Sequence, residues 1–197
     1  MDQDEKKVQG YLEDYGFVCE RFSKEEMKTE KTPDFKVVKN NEFLFYCEVK
    51  SVGEDRWLDN QLDNSPPGTI VGGLRNDPIY NRLTSDIHEA IKQFDNVNGC
   101  QEFPNVLAYV NHDELCGFQD LIAIMTGNFY SNDGNSHPIY KKFSDGRIKD
   151  EKNRIHLFIW IDDFKLSRLL FNQIDSFHHL NLCGWFGIDP AGIKNIN

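Results

Sequence analysis

Residues 33–52 read PDFKVVKNNEFLFYCEVKSV, and this stretch decides the predicted fold. Asn40 and Asn41 favour a tight turn, because asparagine tolerates a positive φ. We therefore expect one strand over 33–38 and a second over 43–52. The second strand begins with FLFYC, a run without polar alternation. Such a run is typical of a strand covered on both faces, so this strand should lie at the centre of its sheet.

Helix and strand patterns flank this hairpin. Apolar residues spaced at i, i+3, i+4 and i+7 predict a helix over 4–15, followed by a short strand over 17–22 and a charged loop over 24–31. Beyond the hairpin, a helix opening at Asp77-Pro78 should run to residue 96, before a strand over 106–110. A helix over 118–125, a strand over 154–162 and a last helix over 164–172 complete the predicted order.

This order, α-β-β-β-α-β followed by α-β-α, predicts a mixed α/β (α+β) protein. The chain has 197 residues, a length that favours one domain over 1–197, with a core over about 4–110 and an extension over about 111–197. Its net charge of −10 excludes a generic polybasic nucleic-acid or membrane binder, although a local basic groove stays open.

The cellular location follows from what the sequence lacks. Its first residues carry no apolar signal segment, and no apolar run reaches the length of a membrane span. The five cysteines form an odd set without a CxxC pair, as expected for reduced thiols. We therefore expect a cytoplasmic protein with no membrane contact. His178, His179 and Cys183 have no second ligand pair at finger spacing, so zinc is not predicted there.

Three residues of the opening stretch suggest chemistry. Asp34 and Glu48 are carboxylates that a hairpin can bring together, and such a pair suits Mg²⁺ or Mn²⁺. Glu48 and Lys50 are two apart on a strand, so their side chains leave the same face. A cation held by both carboxylates would polarise a phosphodiester and acidify a water. Lys50 could orient or deprotonate that water and offset negative charge.

Pro33-Asp34 followed by Glu48-Val49-Lys50 resembles the signature of the PD-(D/E)xK phosphodiesterase superfamily. Among its members, the chain is most similar to the Mrr-like nucleases and the archaeal-type Holliday junction resolvases. The resemblance covers residues 4–110 and implies a restriction endonuclease-like core of order α-β-β-β-α-β. It also implies a magnesium-dependent nuclease acting on DNA or RNA, with Asp34, Glu48 and Lys50 as catalytic residues. An acidic residue on the first helix often completes such a site, and Glu5 fits that role.

Other candidates are less specific. Basic residues in and after the long connection over 53–76 could contact a nucleic-acid strand, and scattered solvated charges are the alternative; they include Arg56, Arg75 and Arg82. Gln93 could touch substrate or be an ordinary helix-surface amide. Asp34 could be only a turn residue, Glu48 with Lys50 only an ion pair, and Glu5 only a complement to the helix dipole.

The register of the hairpin separates these alternatives. With a regular two-residue loop at Asn40-Asn41, Asp34 would pair with Cys47, and Asp34 and Glu48 would project from opposite faces. A shared cation therefore requires a three-residue loop, a β-bulge between Pro33 and Val38, or Asp34 lying just outside the strand.

Two further functions stay open. The chain could be a catalytically inactive nuclease-like scaffold that binds a protein partner or a second copy of itself, in keeping with its acidic surface. It could also be a small-molecule enzyme on another α/β scaffold, although no glycine-rich phosphate loop and no GxSxG element is present.

Overall fold

The computed structural model describes residues 1–53, 57–70, 79–131, 133, 135–162 and 167–194. Its helices are α1 (Gln3–Asp14), α2 (Glu26–Thr29), α3 (Trp57–Asp63), α4 (Ile79–Asn98), α5 (Phe118–Thr126) and α6 (Ser176–Trp185). Its strands are β1 (Val18–Glu20), β2 (Phe35–Lys39), β3 (Glu42–Val52), β4 (Asn105–Asn111), β5 (Asn128–Tyr130), β6 (Ser136–Pro138), β7 (Leu157–Asp162) and β8 (Arg168–Phe171).

The fold is mixed α/β, built on a six-stranded sheet of order β1-β2-β3-β4-β7-β8. β4 runs parallel to both of its neighbours, β3 and β7, and the outer pairs are antiparallel. As expected from its apolar run, β3 lies inside the sheet. The segment after residue 110 adds β7 and β8 to the same sheet, and β5 and β6 form a separate hairpin.

Helices cover both faces of the sheet. On one face, Val8 and Leu12 of α1 and Leu182 of α6 pack against Phe45 and other side chains of the sheet. On the other face, α4 and α5 pack against side chains that alternate with these along the strands, Tyr109 among them. α1 begins with a capping box between Asp2 and Glu5, which satisfies backbone N–H groups of its first turn.

The β2–β3 hairpin combines a tight loop with a β-bulge. Asn40 and Asn41 adopt φ values of 54° and 64°, and Lys39 pairs with Glu42 across this two-residue loop. The register then shifts, because Val38 pairs with Phe43 while Val37 pairs with Phe45. Leu44 is thus the extra residue. The predicted bulge is present opposite Val37 and Val38, and its additional residue lies on β3 rather than on β2.

Two sequence predictions are wrong in detail. The predicted last helix over 164–172 is contradicted at Arg168–Phe171, which forms strand β8 against β7. Its side chains divide between the two faces, with Leu169 and Phe171 in one core and Leu170 in the other, so the pattern has the period of a strand. The C-terminal extension is therefore richer in strands than α-β-α, and its last α-helix is α6. The predicted loop over 24–31 contains the single helical turn of α2.

Other predicted elements agree with the structure to within a few residues, and the proposed helix start at Asp77-Pro78 lies outside the described residues. No helix in the described part of the chain combines the length and the hydrophobicity needed to cross a membrane.

Candidate active site

The bulge brings Asp34 alongside Glu48. Phe35, the first residue of β2, pairs with Cys47, so Asp34 lies just outside the strand at the level of Glu48. Cross-strand neighbours share a face, and the two carboxylates therefore project toward the α4 side of the sheet. The Val49 N–H donates to Asp34 Oδ2 at 2.8 Å, which fixes the carboxylate where the regular pairing of β2 with β3 ends.

Glu48 is the most unusual carboxylate of the described chain. It is only 2% exposed, and its Oε2 is fully buried with no described N–H or O–H group donating to it. Burial and the nearby charge of Asp34 raise the pKa of Glu48 to about 8, although Lys50 opposes the shift. The two carboxyl groups face each other closely enough to share a hydrogen bond when one is protonated. Near neutral pH the pair therefore retains one proton.

Asp34 completes this pair. Burial raises the pKa of Asp34 above its ordinary value, although the hydrogen bond from the Val49 N–H works in the opposite direction. The negative charge of Glu5 adds to the rise. Glu48 lowers the pKa of Asp34 through their hydrogen bond, whereas Asp34 raises the pKa of Glu48. A close carboxylate pair in which one member is held protonated is typical of a site that can accept an added positive charge.

Lys50 lies beside the pair on the same face of β3. Its Nζ is 3.0 Å from Glu48 Oε1, and its side chain is 16% exposed. Burial disfavours the ammonium group, but the charge and hydrogen bond of Glu48 together with the charges of Glu89 and Asp86 outweigh burial, so the pKa of Lys50 lies above its ordinary value. Lys50 is therefore charged at neutral pH and can reach solvent.

One flank of α4 closes the site opposite β3. Glu89 and Gln93 approach Lys50 Nζ, each with an oxygen at 3.5 Å. Asp86 lies one turn earlier, and burial with the charge of Glu89 raises the pKa of Asp86 to about 6 against the effect of Lys50. Sequence reasoning missed Asp86 and Glu89. They precede Gln93 by seven and four residues, a spacing that places them on one helix flank, but only tertiary packing shows that this flank faces Lys50.

Glu5 lies near the pair but is already engaged. Arg21 Nη1 donates to Glu5 Oε2 at 2.5 Å, and the Asp2 N–H donates to the same oxygen at 3.1 Å. Burial opposes the ionisation of Glu5, yet the bond and charge of Arg21 outweigh it and lower the pKa of Glu5. Arg21 follows β1 and carries no motif. Only the pairing of β1 with β2 brings it next to the Asp34 segment, which is why the sequence did not indicate it.

The predicted substrate-binding residues divide into three groups. Arg82 is engaged within the protein, donating to the Gly53 carbonyl at 2.8 Å and to Asp113 Oδ2 at 2.9 Å. Gln93 faces Lys50 rather than open solvent. Arg56 and Arg75 lie outside the described residues. Contact of any of them with substrate stays a prediction.

A second polar cluster lies elsewhere, between the start of β7 and the start of α6. Within the described residues, the one group of three or more His, Cys, Asp or Glu side chains with ligand atoms within 4.8 Å of one another is His156, Asp175 and His178. The sequence did not indicate it, because His156 lies twenty-two residues before His178. Cys183 is not a member and instead contacts His179.

The hydrogen bonds of this cluster indicate a structural role rather than a metal site. The Asn105 N–H donates to His156 Nδ1 at 3.1 Å, so the neutral imidazole carries its proton on Nε2, which faces Asp175 at 3.6 Å. This tautomer has no lone pair left for a cation. Asp175 also caps α6 by accepting from the His178 N–H at 2.7 Å. The cluster therefore connects α6 to the sheet.

Comparisons with known proteins identify no relative: no protein-family model, no curated protein and no solved structure matches the chain.

Proposed function

We propose that the chain is a divalent-metal-dependent nuclease that hydrolyses phosphodiester bonds of nucleic acid, with DNA the preferred substrate. The observation that carries the proposal is the pairing of Asp34 and Glu48 on one face of the hairpin, beside Lys50. The bulge at Leu44 supports it, because in this register Asp34 and Glu48 lie side by side on one face of the sheet.

The carboxylate pair fits Mg²⁺ or Mn²⁺ as the metal cofactor. Glu48 Oε2 is a buried oxygen to which no described group donates, and Glu48 faces a second carboxylate that shares its proton. Hard divalent cations prefer oxygen ligands and need only one or two carboxylates together with waters and phosphate oxygens. Asp34 and Glu48 would hold the cation. The bound cation would supply charge neutralisation for the scissile phosphate and a water of lowered pKa.

Lys50 and the charged residues around it would bind the water and stabilise charge. Because Lys50 is charged at neutral pH, its ammonium group would hold a water and stabilise negative charge that develops on the phosphate. Glu5 would assist from a distance, since its charge acts on Asp34 while Arg21 holds its carboxylate. Arg21 adds a second positive charge near Asp34.

The charge balance of the site supports a substrate that binds together with the metal. Among the described residues, acidic side chains outnumber basic ones around the site: Glu5, Asp34, Glu48, Asp86 and Glu89 against Arg21, Lys50 and Arg82, whose charge acts on Asp86. Without a cation, this site repels a phosphate backbone. Nucleic acid should therefore bind much more tightly when the divalent cation is present.

The restriction endonuclease-like topology is part of the same proposal. The helix, three strands, helix and strand that the PD-(D/E)xK superfamily shares have counterparts in α1, β1, β2, β3, α4 and β4, in that order, with the short α2 and α3 inserted. We further propose a cytoplasmic location, because all five cysteines are free and a reducing compartment keeps thiols unpaired.

The experiment that tests the proposal is cleavage of labelled single-stranded and duplex DNA and RNA with Mg²⁺, with Mn²⁺ and with EDTA. Lys50→Ala should abolish cleavage and leave folding and metal binding largely intact. Lys36→Ala, which removes a β2 lysine that pairs with Glu26 of α2, is the matched control and should retain cleavage. Full activity of Lys50→Ala would contradict the assignment.

The alternative is an inactive scaffold that binds a protein partner. Phe177 and Leu180 favour it, because they are 70% and 56% exposed and lie three residues apart on the outer face of α6. An absence of metal-dependent cleavage, combined with loss of saturable metal binding, would favour this scaffold function over the nuclease.

A further inference from the structure

We infer that Gln93 is a positioning residue that locks Lys50 to the segment carrying Asp34, rather than a residue that contacts substrate. The inference rests on the proposed nuclease function, because it assigns Gln93 a task within that site. It stands on a pair of contacts made by the two ends of one carboxamide.

The first contact is with Lys50. Gln93 Oε1 is 3.5 Å from Lys50 Nζ, and Glu48 Oε1 is 3.0 Å from the same nitrogen. An ammonium group on a four-carbon stem has many conformations, and each acceptor removes some of them. Gln93 and Glu48 hold the ammonium from α4 and from the sheet, respectively. Glu89 also reaches it, but Glu89 is 61% exposed and holds it less firmly.

The second contact is with the segment that carries Asp34. Gln93 Nε2 donates to the Thr32 carbonyl at 3.0 Å, and Thr32 precedes Asp34 by two residues. This segment has no regular strand pairing before Phe35, so its position depends on such side-chain bonds. A single amide thereby couples the position of the proposed metal ligand to the position of the proposed catalytic lysine.

Each polar end of Gln93 makes one of these contacts, and the side chain is half-buried. The two contacts orient the amide toward Lys50 and the Thr32 carbonyl. Residues that orient the groups around a metal site typically change metal affinity or activity 10- to 100-fold when they are replaced. The same range is expected here.

α4 offers a matched control for the backbone contact. Asn96 Nδ2 donates to the Lys31 carbonyl at 2.8 Å, one residue before Thr32, and its described contacts do not include Lys50. Asn96→Leu therefore removes an amide tie to the same segment without touching the lysine. Gln93→Met removes both polar ends of Gln93 and keeps its length, while Gln93→Glu keeps an oxygen acceptor for Lys50.

The test uses the full chain and three readouts: the order parameter of the Lys50 ammonium group from ¹⁵N relaxation, Mn²⁺ affinity by calorimetry, and the single-turnover rate of DNA cleavage. Gln93→Met should lower the order parameter and reduce Mn²⁺ affinity and cleavage by about 10- to 100-fold. Asn96→Leu should leave all three within about two-fold of wild type. Gln93→Glu should restore the Lys50 order parameter.

The outcomes separate the two claims. If the wild-type protein cleaves and Gln93→Met behaves like Asn96→Leu in all three readouts, Gln93 is only a structural tie and the inference is overturned. If the wild-type protein neither binds Mn²⁺ nor cleaves, the proposed function fails. In that case the Lys50 order parameter still decides whether Gln93 holds the lysine.

Discussion

The carboxylate of Asp34 accepts a hydrogen bond from the backbone N–H of Val49, fifteen residues later in the chain, at 2.8 Å. This bond connects the two halves of the site. Val49 lies between Glu48 and Lys50, so Asp34 is anchored to the backbone that presents both side chains. The hydrogen bond from Val49 keeps the carboxyl group of Asp34 close to that of Glu48. This proximity is unfavourable unless a proton or a cation lies between the two groups.

The first prediction concerns the stability cost of this arrangement. Glu48 has a pKa of about 8 in the folded protein and 4.5 as its ordinary value, so the folded state binds more protons between these values. The contribution of Glu48 to stability should therefore fall as pH rises from about 4.5 to about 8 in EDTA. Glu48→Gln mimics the protonated form and should be more stable than wild type at pH 8 by on the order of 2 kcal/mol. Urea unfolding with EDTA measures the difference, and a less stable variant at pH 8 would oppose this interpretation.

The second prediction separates Glu5 from the main pair. Arg21 and the Asp2 N–H already occupy the carboxylate of Glu5, so it acts on the site through its charge. Glu5→Gln should weaken Mn²⁺ binding by less than about ten-fold, whereas Asp34→Asn should eliminate it. Glu13→Gln, on the same helix, is the control. Equal losses in Glu5→Gln and Asp34→Asn would instead make Glu5 a direct metal ligand.

The third prediction concerns His156. Burial and the charge of His178 lower the pKa of His156 to about 4 from 6.5, despite the opposing effect of Asp175. The unfolded chain takes up the proton first, so this neutral histidine contributes stability above pH 6.5 that is lost as pH falls toward 4. The loss should amount to about 3 kcal/mol.

His156→Asn keeps an acceptor for the Asn105 N–H but cannot titrate, so its stability should depend less on pH between 7 and 4. Denaturant unfolding over that range measures the effect. The exposed His137→Asn is the control and should follow the wild-type curve. Parallel curves for wild type and His156→Asn would show that another group controls acid unfolding.

The sequence predicted the fold where local pattern and packing agree. The apolar run before Glu48 indicated an interior strand, and the spacing of Val8 and Leu12 indicated the buried side of α1. It failed at Arg168–Phe171, where a short edge strand has too few residues for its period to be distinguished from that of a helix. The sequence allowed the possible registers of the hairpin to be stated, but it did not indicate that Leu44 would be the extra residue of the bulge.

The residues of the candidate site likewise divide into those that the sequence predicted and those that it did not. Asp34, Glu48 and Lys50 lie within one hairpin, so local sequence was enough to bring them together. Asp86, Glu89 and Arg21 come from α4 and from the end of β1, and nothing in their neighbourhoods distinguishes them from solvated surface charges. Their place in the site depends on how a helix and an edge strand pack against β2 and β3, which is a tertiary property.

The fourth prediction concerns salt. The whole chain repels polyanions, with a net charge of −10, so any nucleic acid must be held by the cation and a few local basic groups. Affinity measured with a cleavage-deficient Lys50→Ala protein in Ca²⁺ should fall as salt rises, with a slope corresponding to only a few phosphate contacts. Filter binding or fluorescence anisotropy at increasing KCl measures that slope. A salt-independent affinity would argue against a phosphate-backbone ligand.

The most direct test is a calorimetric titration of Mn²⁺ into the wild-type protein, Asp34→Asn and Asp175→Asn. Asparagine still caps a helix, so Asp175→Asn preserves α6 while removing the carboxylate from the one group of three potential ligands in the described chain. The wild type and Asp175→Asn should bind Mn²⁺ saturably and release protons at pH 7, since Glu48 must ionise, and Asp34→Asn should not bind. Saturable binding that survives Asp34→Asn, or that disappears in Asp175→Asn, would contradict a metal centre at Asp34 and Glu48.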